Sequence, residues 1–234
     1  MVELHRKYLF SKTNKIILKI LIIMVTIILL LSIGMNYPDD ERWSNRINCL
    51  NNYLQNMIFT IKFVGIIFSC YIMGNAFNNY NDNYSVLFLR HRKERIKYFM
   101  GKVFSLFIFI SSIIFIVLTI ASFILYTYCN WFYDYIIILK ISFRLTTIIL
   151  TYGIISTVVT IIFKTSLAFV IPIILFICID VLNDTIGDSN FYNNILLFLP
   201  NFDITNLIIP SLTNLVVILC YIVLGTILYY FRNE

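Results

Sequence analysis

The residue types that most often carry out chemistry are rare in this sequence and far apart. Histidine occurs only at His5 and His91, and glutamate only at Glu41, Glu94 and Glu234. None of these side chains lies within an apolar stretch beside a suitable partner, so a general acid–base pair or a zinc-dependent protease lacks its parts. The sequence therefore predicts no catalytic residue and no metal site, and we expect that the chain is not an enzyme.

The glycines bear on nucleotide chemistry. Both GxxxxGK[ST] and GxGxxG loops need closely spaced glycines, so that backbone amides can surround a phosphate. The seven glycines here are too far apart for either loop: Gly34, Gly65, Gly74, Gly101, Gly153, Gly187 and Gly225. We therefore expect this chain to hold no nucleotide or other cofactor of its own.

The composition is that of a protein surrounded by lipid. Of the 234 residues, 60% are hydrophobic and 13% are charged, and the mean hydropathy is +0.86. Soluble domains carry about 25% charged residues, which cover an apolar core. A helical bundle in a bilayer needs no such cover, because its outside faces lipid tails. The sequence predicts a single all-helical membrane domain over residues 1–234.

Six apolar runs approach or reach the roughly 20 residues that a transmembrane helix needs. Polar or charged segments separate these runs along the chain. The predicted spans are Ile16–Met35, Asn56–Gly74, Val103–Tyr126, Tyr135–Ile162, Leu167–Leu182 and Leu215–Phe231.

Three further features complete the predicted architecture. The basic, amphipathic segment Glu3–Lys15 predicts an N-terminal helix at the membrane interface. Pro172 predicts a kink in the fifth span. Residues 183–214 are too polar and proline-rich to span, yet too apolar for a solvated loop. We expect them to form a re-entrant outer segment between spans five and six.

Lysine and arginine are concentrated on one side of this predicted membrane. Thirteen of the eighteen lie near the N-terminus, between spans two and three, after span four, or at the C-terminus. Cytoplasmic segments hold this excess, so both termini are expected in the cytoplasm of the cell. Because topology divides the net charge of +6 among loops, the charge does not indicate a nucleic-acid partner.

The outer side holds most of the acidic residues. They are most simply loop and helix-capping residues, and attraction of a cationic peptide is the alternative. Lys140 and Arg144 lie four residues apart on one helical face near the outer end of span four, where they are interface anchors or contact substrate. The candidate substrate or outer-gate residues are Asp184, Asp188, Asp203, Lys140 and Arg144.

Proton-driven transport has little support in the sequence. Carriers of that kind place an ionisable residue near the midplane of the bilayer. Asp180 is the only acidic candidate within a span, and it lies about one helical turn from the outer end of span five.

The five cysteines are scattered singly, without the CxxC spacing of a metal knuckle. Cys49 and Cys129 fall in predicted outer loops. A disulfide between them and two free thiols therefore remain alternatives.

One segment carries a family resemblance. Ser85–Lys102 alternates short apolar pieces with the basic cluster Arg90-His-Arg-Lys-Glu-Arg95, and it ends in Gly101-Lys102 at the third predicted span. It resembles the segment between spans two and three of type-2 ABC exporter permeases, where a short amphipathic coupling helix docks on a separate ATPase. The six-span layout, with both ends inside and a long outer stretch before span six, is also similar. The matching ATPase-coupling residues are Arg90, Arg92, Lys93, Glu94 and Arg95.

This resemblance implies a function that the chain would share with partners. It implies a permease subunit in a bacterial cell membrane that exports or expels a hydrophobic or cationic peptide, an antibiotic or a lipid-like molecule, including bacteriocin or lantibiotic immunity. ATP and Mg²⁺ would be bound by a separate cytoplasmic ABC ATPase, and the permease would form a homodimer or a heterodimer with a related subunit. In the alternative without a coupling role, the cluster Arg90–Arg95 only determines the orientation of the chain in the membrane and contacts anionic membrane lipid.

A second class of function remains open. A membrane immunity or assembly protein could bind a toxin or partner within the bilayer without any ATPase. A neighbouring gene for a soluble ATPase with a GxxxxGK[ST] loop favours the permease, and its absence favours the binder.

Overall fold

The computed structural model describes residues 43–78, 92–129, 135–186 and 212–231, and helical residues between positions 15 and 30. The described elements are all helices, which confirms the predicted all-helical fold over this part of the chain. They are α1 (Trp43–Ala76), α2 (Arg92–Cys129), α3 (Tyr135–Phe163), a short 3-10 helix (Ser166–Phe169), α4 (Val170–Ile186) and α5 (Leu212–Tyr230). The predicted interface helix before Lys15 and most of the predicted re-entrant segment, residues 187–211, lie outside the described residues.

Three of the described helices are long and apolar enough to cross a membrane. The stretches that meet this requirement are Asn52–Ala76 in α1, Lys93–Ile124 in α2 and Tyr135–Phe163 in α3. The other three predicted spans coincide with shorter apolar helical stretches: Leu18–Ile28, Leu167–Val181 and Asn214–Tyr230.

Helix α3 is the centre of the bundle. Every residue from Leu145 to Val158 is buried, and α1, α2, α4, α5 and the 3-10 helix all pack against α3. This core stretch is rich in threonine and isoleucine, and it also contains Gly153 and Ser156. Small side chains let the surrounding helices approach closely, which is how helices associate when lipid offers no hydrophobic driving force.

The contact between α1 and α3 shows this close packing most clearly. A Cβ atom on Gly153 of α3 would collide with Ser69 and Met73 of α1. Ser156 Oγ on α3 donates a hydrogen bond of 2.7 Å to the backbone carbonyl of Cys70. Small residues and an interhelical hydrogen bond therefore fix the register of the two helices.

One end of the bundle carries four of the described lysines, and we refer to it as the basic end. Phe77 after α1, Phe99 near the start of α2 and Tyr229 near the end of α5 pack together there, with ring centres 5.1 to 6.0 Å apart. The end of α1, the start of α2 and the end of α5 therefore lie together at this end. Lysines at this end are Lys93, Lys97, Lys102 and Lys164.

The outside of the bundle is apolar. Helix α2 exposes Phe104, Ile108, Ile116 and Phe123. Many of the described hydroxyl groups lie inside instead: Ser122, Ser142, Thr146, Thr147, Thr151, Ser156, Thr157 and Thr160 are all buried. Isoleucine and phenylalanine outside with serine and threonine inside is an arrangement suited to an apolar solvent.

The structure corrects two predicted boundaries. Helix α1 begins at Trp43, so residues 43–55 are helical where the sequence predicted part of a polar loop. No glycine or proline occurs between Trp43 and Val64, and polar residues alone do not stop a helix once it leaves the bilayer. Cys49 and Cys129 therefore belong to the backbones of α1 and α2 and not to loops.

Helix α2 is also longer than predicted. It begins at Arg92 and runs unbroken through Gly101 and Lys102, where the sequence predicted that a new helix would begin. Arginine, lysine and glutamate are strong helix formers, and they continue the apolar helix without a break.

Pro172 lies in the first turn of α4. The backbone changes there from the 3-10 helix, which ends at Phe169, to the α-helix that starts at Val170. A proline in the first turn of an α-helix has no intrahelical hydrogen bond to lose, so α4 accommodates Pro172 at this position.

Candidate functional site

The predicted coupling residues form the exposed start of α2. Lys93 and Glu94 are exposed and Arg95 is half-buried, all in the first turn of the helix. Arg92 is the first residue of α2, and Arg90 lies outside the described residues. A separate coupling helix is not observed from Arg92 onward, because the basic turn and the apolar body are one continuous helix. Any force on this turn would act directly on α2.

The predicted outer residues are only partly placed. On α3, Lys140 is exposed and Arg144 is half-buried, at the end of the bundle opposite the basic end. Asp184 belongs to the backbone of α4, and Asp188 and Asp203 lie outside the described residues. Their role as a substrate site or outer gate stays a prediction.

A buried ion pair joins α1 to α4. Lys62 Nζ donates a hydrogen bond of 2.9 Å to Asp180 Oδ1, and the two side chains are 7% and 28% exposed. At the rise of an α-helix, Lys62 lies about 15 Å from Asn52 and about 21 Å from Ala76, which puts it near the middle of the long apolar stretch. A charge in such a position needs a partner, and Asp180 provides it.

Aromatic rings surround this pair. Lys62 Nζ lies 5.5 Å from the ring centre of Phe59 and 5.4 Å from that of Phe176. The rings present their negative faces to the ammonium group, which adds a cation–π attraction to the ion pair. Tyr152 of α3 holds Phe176 in an edge-to-face contact with ring centres 5.4 Å apart. The central helix thus positions the groups that enclose Lys62.

The sequence interpretation gives Lys62 no role, although one signal points to it. A lysine within a long apolar stretch is a functional candidate by itself. Asp180 also lies deeper in its helix than expected, because α4 continues to Ile186. The pairing itself joins positions 118 residues apart, so it depends on how α1 and α4 pack against α3.

A second buried lysine lies at the basic end. Lys102 is 4% exposed, and its Nζ donates a hydrogen bond of 3.2 Å to the Tyr98 hydroxyl. The same ammonium group lies 4.6 Å from the ring centre of Phe77. Tyr229 of α5 packs against Phe77 and Tyr98. This cluster fixes the first part of α2 to the ends of α1 and α5.

An open groove of about 560 Å³ lies between α2, α3 and α5. Seven of its lining residues are apolar, and they include Phe107, Phe115 and Leu215. The other five carry hydroxyl groups: Ser111, Ser112, Ser142, Thr146 and Thr147. None of the lining residues in the described part of the chain is charged. The groove therefore offers hydrogen bonds within an apolar wall.

Comparison with protein-family models, curated proteins and solved structures gave no match. The site must therefore be interpreted from its own geometry.

No group of three or more histidine, cysteine, aspartate or glutamate side chains that could hold a metal ion occurs among the described residues. Three features of the described arrangement bear on the movement of helices and on the binding of a ligand. A basic turn continues into a long helix, a buried ion pair links two further helices, and a hydroxyl-lined groove is accessible from outside.

Proposed function

We propose that this chain is the membrane permease subunit of an ABC exporter, driven by a separate cytoplasmic ATPase. The observation that carries the proposal is the continuity of α2. The same helix exposes the basic turn at Lys93 and, further along, contributes Phe107 and Phe115 to the groove wall. An ATPase that moves the basic turn would therefore move the groove wall without an intervening hinge.

We further propose six transmembrane helices, with the basic end in the cytoplasm. The three shorter apolar helical stretches would complete the set begun by α1, α2 and α3. The concentration of lysines at one end of the bundle, together with an apolar outside, supports this orientation. The subunit would work as a homodimer or with a related permease.

Each buried lysine has a place in this mechanism. The Lys102 cluster holds α2 to α1 and α5 near the membrane surface, so motion of the basic turn is passed to more than one helix. The Lys62–Asp180 pair holds α1 and α4 together, so these two helices would move as a unit. Transport would follow ATPase closure, tilting of the helices and opening of a path for a hydrophobic or cationic peptide, an antibiotic or a lipid-like molecule.

Co-purification tests the proposal. The full chain is co-expressed with each soluble ATPase of its own genome that carries a GxxxxGK[ST] loop, and the complex is isolated in detergent through a tag on the permease. We expect one ATPase to co-purify and to hydrolyse ATP in the complex. If none co-purifies under conditions where the tagged chain is monodisperse, the permease proposal fails.

A membrane protein that binds a toxin or partner without ATP is the second candidate. The observation that favours it is the groove, which is open among the described helices without any movement of the basic turn. Immunity or assembly activity that persists when every candidate ATPase gene is deleted would support this function over the first.

A further inference from the structure

The hydroxyl-lined groove between α2, α3 and α5 has features that specify what it can hold. It has no part in the contacts that join Lys62 to Asp180 or Lys102 to Tyr98. Its hydroxyl groups lie on α2 and α3, whereas α5 contributes only Leu215 and Ile218. Phe107 and Phe115 of α2 and Leu139, Phe143 and Leu150 of α3 are apolar, so an occupant would meet the hydroxyl groups as separate polar points within a mainly apolar wall.

Two of the hydroxyl groups are already committed as donors. Ser112 Oγ donates to the backbone carbonyl of Ile108, and Thr147 Oγ1 donates to that of Arg144, both at 2.7 Å. A hydroxyl oxygen whose hydrogen is used in this way can still accept hydrogen bonds. At these two positions the hydroxyl oxygens act as acceptors, so an occupant would pair with them through O–H or N–H donors.

Ser142 and Thr146 extend the polar side of the groove along α3. They are four residues apart and therefore neighbours on one helical face. Both residues are nearly buried, at 7% and 8% exposure, and both line the groove. Successive donors on one ligand could bond to successive turns of the helix.

The described residues that line the groove carry no charge, which also restricts the ligand. A charged head group would lose hydration in the groove and gain no opposite charge, which is unfavourable in an apolar environment. A volume of about 560 Å³ falls in the roughly 300–1,000 Å³ range of sites for single small molecules. Both features favour one neutral molecule with a short polar head and an apolar body.

We propose that this groove binds a neutral single-chain amphiphile whose head carries two or more hydroxyl or amide donors, with a monoacylglycerol as the simplest example. The inference concerns binding alone and goes beyond the proposed function. It holds equally for a permease and for an ATP-independent binder, and its test needs no ATPase.

The test uses the full chain in phosphatidylcholine nanodiscs, because that head group has no hydrogen-bond donor to compete. The probe is a monoacylglycerol with a photoreactive diazirine in its acyl chain, and labelled positions are mapped by mass spectrometry. We expect saturable labelling of α2 and α3 at the groove. Monoolein should compete with the probe, and methyl oleate, which has the same chain and no donor, should not.

Variants identify the groups responsible. Ser142→Ala combined with Thr146→Val keeps the side-chain volumes similar and should weaken probe binding about tenfold, as loss of two hydrogen bonds predicts. Thr157→Val is the matched control, because Thr157 is buried on α3 outside the groove and donates to Gly153 within its own helix. It should bind the probe as the unaltered chain does.

Several results would overturn the proposal. Competition by methyl oleate as strong as that by monoolein would mean that the groove recognises hydrocarbon only. Labelling that never saturates would indicate general contact with lipid. Equal affinity of the Ser142→Ala/Thr146→Val variant and the Thr157→Val control for the probe would show that these hydroxyl groups take no part in recognition. Cross-linking from the groove to a second copy of the chain, with loss of probe labelling on dimerisation, would make the groove a subunit interface.

Discussion

Lys62 and Asp180 form a 2.9 Å ion pair between α1 and α4, although 118 positions separate them in the sequence. Pairing offsets the large desolvation cost of burying either charge alone. Two apolar residues of similar size could hold the same helices together, so stability alone gives little reason to place charges there. Our hypothesis is that the pair provides specificity, by fixing which faces of α1 and α4 meet.

Removing one charge of this pair should harm the protein more than removing both. Lys62→Met or Asp180→Leu alone should lower the free energy of unfolding by about 3 kcal/mol, the lower end for buried pairs, because Asp180 is partly exposed. The double variant should return to within about 1 kcal/mol of the unaltered chain. Thermal unfolding of all four proteins in one detergent measures this cycle. A double variant that loses the sum of the two single effects would show that the charges do not interact.

The same substitution, glycine to alanine, should have opposite effects at the tight contact of α1 with α3 and at an exposed position of α2. Gly153→Ala places a methyl group against Ser69 and Met73, and overpacking of this kind costs about 1–3 kcal/mol. Gly101→Ala lies at an exposed position within α2, where alanine should stabilise the helix by up to about 1 kcal/mol. Unfolding midpoints in detergent distinguish the two. Equal effects of both substitutions would contradict the described packing.

The turn after α3 predicts a stabilising substitution. Lys164 has a φ of 56° and its N–H donates to the carbonyl of Thr160 at 2.9 Å, which closes the end of α3. A left-handed conformation costs an ordinary residue about 1–2 kcal/mol, and glycine avoids most of that cost. Lys164→Gly should therefore raise the unfolding midpoint. Lys164→Ala removes the same charge without relieving the backbone, and it should bring no such gain.

The proposed orientation predicts the accessibility of the two ends of α3. Lys140 and Lys164 are both exposed and lie about 36 Å apart along the helix axis, more than the thickness of a bilayer core. In a chain whose native cysteines are replaced, Lys140→Cys should react with an impermeant maleimide on intact cells. Lys164→Cys should react only after the membrane is opened. Labelling of both from outside would contradict this orientation.

The sequence predicts the ends of a helix well where an apolar run meets a charged residue. The predicted fourth span, Tyr135–Ile162, differs from α3 by one residue at its end, because Asp134 and Lys164 bound a largely apolar run whose only charged residues are Lys140 and Arg144. Helix α1 was harder to delimit, since its first part is polar and no breaker marks its start. Hydropathy reports the part of a helix that lies in lipid and not the part that extends into water.

The candidate site is less predictable than the helices. Lys62 interrupts an apolar stretch, which the sequence shows, but its partner depends on the packing of α1 and α4 around α3. The groove likewise combines Ser112, Thr146 and Leu215 from three separate helices. No spacing within one segment encodes such a combination. The basic turn of α2 is local, so the sequence does locate it, and its role in coupling remains a proposal.

Charge reversal in the basic turn tests the central proposal most directly. Lys93→Glu combined with Arg95→Glu changes the first turn of α2, and Lys164→Glu is the control, because it puts the same kind of change at another exposed point of the basic end. Each variant is purified with the ATPase that accompanies the unaltered chain, and bound ATPase and ATP hydrolysis are measured. We expect the double variant to lose most of the bound ATPase and the control to keep it. Full retention of the ATPase and its activity by the double variant would contradict coupling through α2.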